Sequence, residues 1–209
     1  KKEITEYEST FDYNTFNYNN SQYEKCIFLN DQILTIRNEY NGENKKKSVV
    51  SYLLDLDGTI NNSTELFNND ENLNNLKNYD RFDYTTIEKI NDTTYLVITN
   101  YEKRVGHNIM NHSLMGQYLD QNGNKVGDSF KLMNSSNNAL SKFTQHQIIQ
   151  TNNEVYVIAQ QYDDDENIYN LYIKNINSSE NQQLIYSSNK MLQPNISNER
   201  IIINNSVDS

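Results

Sequence analysis

Ile33-Leu34-Thr35-Ile36, Tyr95-Leu96-Val97-Ile98 and Val155-Tyr156-Val157-Ile158 are one short apolar run written three times, about sixty residues apart. Each follows a polar turn: Asn30-Asp31, Asn91-Asp92 or Asn152-Asn153. A fixed period of this size marks supersecondary units that are stacked or arranged radially. The runs are apolar at consecutive positions rather than at alternate ones, the pattern of a strand covered on both faces.

Working outward from the runs gives four strands per unit. The first strand is Tyr23 to Leu29, Tyr84 to Ile90 and Phe143 to Gln150. The second is Gln32 to Tyr40, Thr94 to Glu102 and Val155 to Tyr162, with polar ends. Polar loops follow at Asn41 to Lys47, Lys103 to Asn111 and Asp163 to Asn167. The third strand is Ser48 to Leu56, Ser113 to Asp120 and Ile168 to Ile176. Asp57-Gly58 and Asn122-Gly123 then read as type I′ hairpin turns, because such pairs tolerate positive φ. The third unit has no such pair. The fourth strand ends in Glu65-Leu66-Phe67-Asn68, Phe130-Lys131-Leu132-Met133-Asn134 and Leu184-Ile185-Tyr186-Ser187.

The expected fold is therefore all-β, a β-propeller-like array of four-stranded antiparallel blades. Residues 1–20 read as an arm or a strand of a preceding blade, 21–78 as repeat 1, 79–140 as repeat 2 and 141–190 as repeat 3. Residues 191–209 read as the start of a further repeat, with Ile196 to Asn204 as its first strand. Three units do not close a ring of the usual four to eight blades. Open edges invite pairing with other chains, so a longer parent chain or a multimer is expected to complete the array.

Gly116 to Leu132, and within it Leu119-Asp120-Gln121-Asn122-Gly123-Asn124-Lys125-Val126-Gly127, resembles the blade repeat of large secreted and cell-surface propeller-like proteins. The first unit keeps Leu54-Asp55-Leu56-Asp57-Gly58 and lacks the second Gly, and the third departs almost wholly. The resemblance implies an extracellular structural or adhesive module and no catalytic residues.

Composition narrows the partners. The net charge is -10, the wrong sign for a nucleic-acid backbone. The one basic run, Lys45-Lys46-Lys47, reads as a hairpin tip. No apolar stretch reaches the ~18 residues of a membrane span. The chain opens on Lys1 without a leader-like segment, as a processed chain or a piece of a longer polypeptide would. Cys26, the single cysteine, excludes an internal disulfide and reads as a buried strand residue. Asn fills about one position in six, and AT-rich codons account for part of that bias.

Chemistry-bearing clusters are sparse. Asp120-Gln121-Asn122-Gly123-Asn124 and Asp55-Leu56-Asp57-Gly58 place oxygens as a calcium loop does, with Asp128 and Glu65 downstream. Hairpin chemistry needs the same residues, so no cofactor is expected and calcium stays a weak alternative. Asp163-Asp164-Asp165-Glu166 reads as a solvated loop tip. His107 and His112 fall in a loop and read as surface residues; His146 falls in a strand, and no zinc spacing results. No catalytic motif is recognisable, and the chain reads as a non-enzyme. Tyr52, Tyr118, Tyr156, Tyr169 and Tyr172 read as half-buried packing residues that are also able to stack on sugars.

Glycosylation sequons occur at Asn19, Asn61, Asn62, Asn91, Asn111, Asn134, Asn177, Asn195 and Asn204, nearly all in segments read as turns. The function expected is a non-catalytic structural module of a secreted or cell-surface glycoprotein. Its partners are proteins, copies of itself or glycans. A cytoplasmic β-propeller scaffold and a carbohydrate-binding or carbohydrate-active propeller are the alternatives.

Overall fold

The computed structural model describes residues 26–29, 31–41, 46–68, 81–105, 109–135, 142–151, 154–197 and 200–205. Among these residues there are fourteen strands and no helix. Sheet 1 contains β1 (Cys26–Leu29), β2 (Gln32–Asn41), β3 (Lys46–Asp55) and β4 (Ile60–Asn68). Sheet 2 contains β5 (Arg81–Lys89), β6 (Thr94–Val105), β7 (Ile109–Asp120) and β8 (Lys125–Asn134). Sheet 3 contains β9 (Lys142–Gln150), β10 (Val155–Asp163), β11 (Ile168–Asn175) and β12 (Gln183–Ser188). In each sheet the strands follow one another in chain order and pair antiparallel. The four-strand unit read from the sequence is thus present three times.

Where the sequence suggested a single strand at Ile196 to Asn204, there is a hairpin: β13 (Leu192–Ser197) pairs with β14 (Arg200–Asn205). The apolar run Ile201-Ile202-Ile203 therefore corresponds to the second strand of a unit and not to its first. The arm at residues 1–20 lies outside the described residues.

The two-faced character of the second strands determines how the sheets stack. Side chains alternate across a strand, so β6 sends Tyr95 and Val97 one way and Leu96 and Ile98 the other. Tyr95 and Val97 pack with Leu34, Ile36, Val49 and Leu53 of sheet 1. Leu96 and Ile98 pack with Val157 and Ala159 of sheet 3. Sheet 2 is buried between its neighbours, which is why all four residues of its run are solvent-free or nearly so. We call the face toward the following unit the front and the opposite face the rear.

A shared irregularity strengthens the repeat. The register between third and fourth strands slips at Val49/Val50, at Leu114/Met115 and at Leu171/Tyr172. Each slip is a β-bulge that turns an adjacent apolar pair toward the front. The pairs are Leu66-Phe67, Leu132-Met133 and Ile185-Tyr186. A second bulge, in β5 between Asp83 and Thr86, holds Tyr84 at φ 50.

The hairpins after β3 and β7 are not the two-residue type I′ turns expected. Gly58 N–H donates to Asp55 O, and Asp55 N–H to Thr59 O, both at 2.9 Å. Gly123 and Asp120 repeat the pattern with Asp120 O and Asn124 O at 3.1 and 2.9 Å. Only the glycines are left-handed, at φ 88 and 77. This is a three-residue loop closed by a glycine bulge. In the third unit Asn175 substitutes for it: its Oδ1 accepts the Asn177 N–H at 2.9 Å.

The two glycines differ in surroundings. A Cβ at Gly123 would lie 3.1 Å from Leu34 Cδ1 of sheet 1, whereas nothing lies within 4 Å of one at Gly58. Gly58→Ala is expected to destabilise by about 1 kcal/mol, the cost of a left-handed L-residue. Gly123→Ala should lose roughly 1 kcal/mol more, because Leu34 must move; urea midpoints of the two variants check the difference.

Candidate functional site

The candidate site is the seam between units, together with the two outer faces where that seam is not repeated. Its polar parts recur as its apolar parts do. Asn38 and Asn100 hold equivalent places at the polar ends of β2 and β6. The Asn38 amide donates to the Phe82 carbonyl at 3.4 Å, and the Asn100 amide to the Phe143 carbonyl at 2.9 Å. Each thus reaches from one unit to the first strand of the next. Thr85, turned inward beside the Tyr84 bulge, donates to Asn38 Oδ1 at 2.8 Å and lies 2.8 Å from the Thr99 hydroxyl. Aromatic rings seal the first seam: Phe82 lies 6.1 Å from Phe67 and stacks on Tyr101 at 5.1 Å.

At the opposite end of the first seam, sheet 1 forms a socket for the hairpin of sheet 2. Ser51 Oγ donates to Gly123 O at 2.8 Å. The Asn62 amide donates to Asn122 O at 2.8 Å and to Asn124 Oδ1 at 3.0 Å. Gly123, though at a hairpin tip, is buried. The same end of sheet 2 is closed differently. Gly116 takes the place of Ser51, and the Phe130 ring lies over it so closely that a Cβ there would be 2.6 Å from the ring. Tyr118 stacks on that ring at 5.3 Å, and burial raises the pKa of its hydroxyl. Gln182 further ties the second seam, accepting from Asn134 N–H at 3.2 Å and donating to Asn134 O at 2.7 Å.

The residues considered for calcium are occupied by turn donors. Asp120 Oδ1 accepts the N–H groups of Asn122 and Asn124 at 2.8 and 2.9 Å, and Oδ2 accepts the Asn124 amide at 3.2 Å. Asp57 Oδ1 accepts Thr59 N–H at 2.9 Å, which holds its carboxyl below the usual range. Asp128 is exposed, and Glu65 accepts from the Asn68 amide. Among the described residues no three His, Cys, Asp or Glu side chains come together as a metal site. No helix among them is long and apolar enough to cross a membrane.

Several expectations are corrected. His112 is not a surface loop residue: β6 and β7 extend past Glu102 and Ser113, and His112 is buried in β7 opposite Glu102. Its Nδ1 lies 3.4 Å from Glu102 Oε1, with both side chains closed to solvent. This pair staples β6 to β7. His107 lies outside the described residues. Asp163 is buried, its Oδ1 accepting Asp165 N–H at 3.1 Å, while the rest of its acidic run is exposed. Cys26 is exposed, on the rear of sheet 1 beside the exposed Phe28. Lys46 and Lys47 belong to β3, and Lys45 lies outside the described residues.

Most sequons lie in strands rather than turns: Asn61 and Asn62 in β4, Asn111 in β7, Asn134 at the end of β8, Asn195 in β13 and Asn204 in β14. Asn91 and Asn177 lie between strands, and Asn19 is outside the described residues.

The outer faces break the pattern. In units 1 and 2 the front pairs Leu66-Phe67 and Leu132-Met133 are buried, whereas Ile185 and Tyr186 are each 40% exposed. On the rear of sheet 1, Phe28 is 72% and Ile60 47% exposed. The seam residues were missed from sequence because nothing distinguished Asn100 or Asn62 from the surrounding Asn excess. Comparison with known families, curated proteins and solved structures matches the chain to none of them.

Asn100→Ala strips a buried carbonyl of its donor and is expected to cost about 1–3 kcal/mol. Asn38→Ala loses a longer bond at an exposed place and the Thr85 contact, but Thr85 keeps the Thr99 hydroxyl as partner, so the cost should stay below that of Asn100→Ala, at about 1 kcal/mol. Equilibrium urea unfolding of both variants reads the contrast.

Proposed function

We propose that this chain is a non-catalytic, β-propeller-like interaction module of a secreted or cell-surface glycoprotein, acting through protein–protein contacts. The observation that carries the reading is the directional seam. One unit's front meets the next unit's rear twice in the same sense, and Phe28 and Ile60 on sheet 1 and Ile185 and Tyr186 on sheet 3 remain apolar and exposed. Exposed apolar patches of this kind mark interaction surfaces. The most distinctive polar residues are spent on holding units together, which favours a scaffold over a reaction centre. The blade-like repeat Asp120-Gln121-Asn122-Gly123-Asn124 supports the propeller-like and extracellular parts of the reading.

Glycosylation separates this reading from an intracellular scaffold. Asn91 and Asn134 are exposed and are the sites expected to carry glycan. Asn62 is expected to be bare, since its amide is held in the socket by Asn122 and Asn124. Peptide mapping of native material, with and without enzymatic deglycosylation, checks this. Unmodified Asn91 and Asn134 in a cytosolic pool would overturn the extracellular assignment.

A further inference from the structure

Two asparagines of the chain are followed by glycine, Asn41 and Asn122, and Gly42 lies outside the described residues. At the tip of the hairpin between β7 and β8, Asn122 is exposed while Gly123 is buried. Three hydrogen bonds fix the peptide groups around this pair. Gly123 N–H donates to Asp120 O at 3.1 Å. The Asn62 amide donates to Asn122 O and Ser51 Oγ donates to Gly123 O, both at 2.8 Å. The last two come from sheet 1, so they hold only while the first seam is closed. Among the described residues the Asp55–Thr59 hairpin has the same loop bond, Gly58 N–H to Asp55 O at 2.9 Å, without a socket around it. Gly58 is exposed, and nothing lies within 4 Å of a Cβ placed there.

We propose that Asn122 is a self-modifying site gated by the first seam, kept as an amide while sheet 1 grips the hairpin and converted to aspartate or isoaspartate once the seam opens. The reaction needs only the chain and water. A base takes the Gly123 amide proton and the nitrogen attacks Asn122 Cγ. A cyclic imide forms as the Cγ–Nδ2 bond breaks and ammonia leaves with a proton. Water then adds to one of the two imide carbonyls and breaks its bond to nitrogen, giving aspartate or isoaspartate with no change of oxidation state. Glycine permits the attack, since no Cβ shields its nitrogen. In the closed seam the Gly123 proton is donated to Asp120 O, burial keeps base from the nitrogen, and the carbonyls of Asn122 and Gly123 are both held. The attack therefore waits on local opening. Isoaspartate lengthens the main chain by one carbon before Gly123. Ser51 and Asn62 then no longer meet their two carbonyls together, and the opened seam does not close as before.

The test uses the full chain carrying Asp57→Asn, which puts a second Asn-Gly pair in the unclamped hairpin of the same molecule. A host that does not glycosylate is needed, because that substitution creates a sequon with Thr59. Peptide mapping by mass spectrometry, with enzymatic methylation of isoaspartate, follows both positions at mildly alkaline pH. Position 57 should convert at least about tenfold faster than Asn122, the protection given by a closed site. Ser51→Ala and Asn62→Ala should each speed Asn122 roughly threefold to tenfold, the population shift of one lost hydrogen bond, and leave position 57 unchanged. Should Ser51→Ala fail to fold, the half-buried Asn62 supplies the variant. Protein converted at position 122 should unfold at a lower urea concentration than unconverted protein. Equal rates at positions 57 and 122, no response to either substitution, or equal acceleration at both positions would overturn the proposal. An unchanged urea midpoint after conversion would overturn the claim that the modified seam no longer closes as before.

Discussion

The structure depends on a strand that is apolar on both sides. A sheet built around Tyr95-Leu96-Val97-Ile98 has no face to offer water, so it exists only between two other layers. Burying such side chains is worth about 1.5–3 kcal/mol each, and half of that is lost if either neighbour is removed. Sheet 2 therefore has little independent stability, and the three meanders behave as coupled repeats whose stability resides largely at their boundaries.

Apolar layers alone do not set the distance or the angle between sheets. That task falls to polar groups placed at the ends of the seams. Asn100 and Asn38 reach across to main-chain carbonyls, Ser51 and Asn62 grip a hairpin tip, and Gln182 brackets Asn134. Main-chain partners are always present whatever the side chain, so these bonds tolerate divergence between units. The Glu102–His112 pair works within one sheet, joining β6 to β7 beyond the apolar run.

Much of the fold was legible in the sequence. Apolar runs, polar turns and Asp-Gly or Asn-Gly signals place the first three strands of each sheet, and the far end of the fourth, to within a few residues. The loops were read too long because the polar Lys103, Arg104 and Asn111 interrupt the apolar pattern, although backbone pairing continues through them. That misreading also hid Glu102 and His112 from one another. The hairpin type was misjudged because Asn-Gly fits both a two-residue and a three-residue loop, and only the hydrogen bonds of Asp55 and Asp120 distinguish them. The inter-sheet polar contacts were not legible at all: an Asn that clasps a neighbouring sheet and one that meets water are the same letter.

Pairing strictly between consecutive strands also has a bearing on biosynthesis. Every ladder is local, so each meander is able to form as soon as it clears the ribosome. Sheet 1 would then wait with Leu34, Ile36 and Val49 bare until the next sixty or so residues are translated, several seconds at about 5–20 residues per second. Over that interval the nascent chain presents the greasy layer that chaperones recognise, and neighbouring ribosomes on one message would hold two such layers within reach of each other.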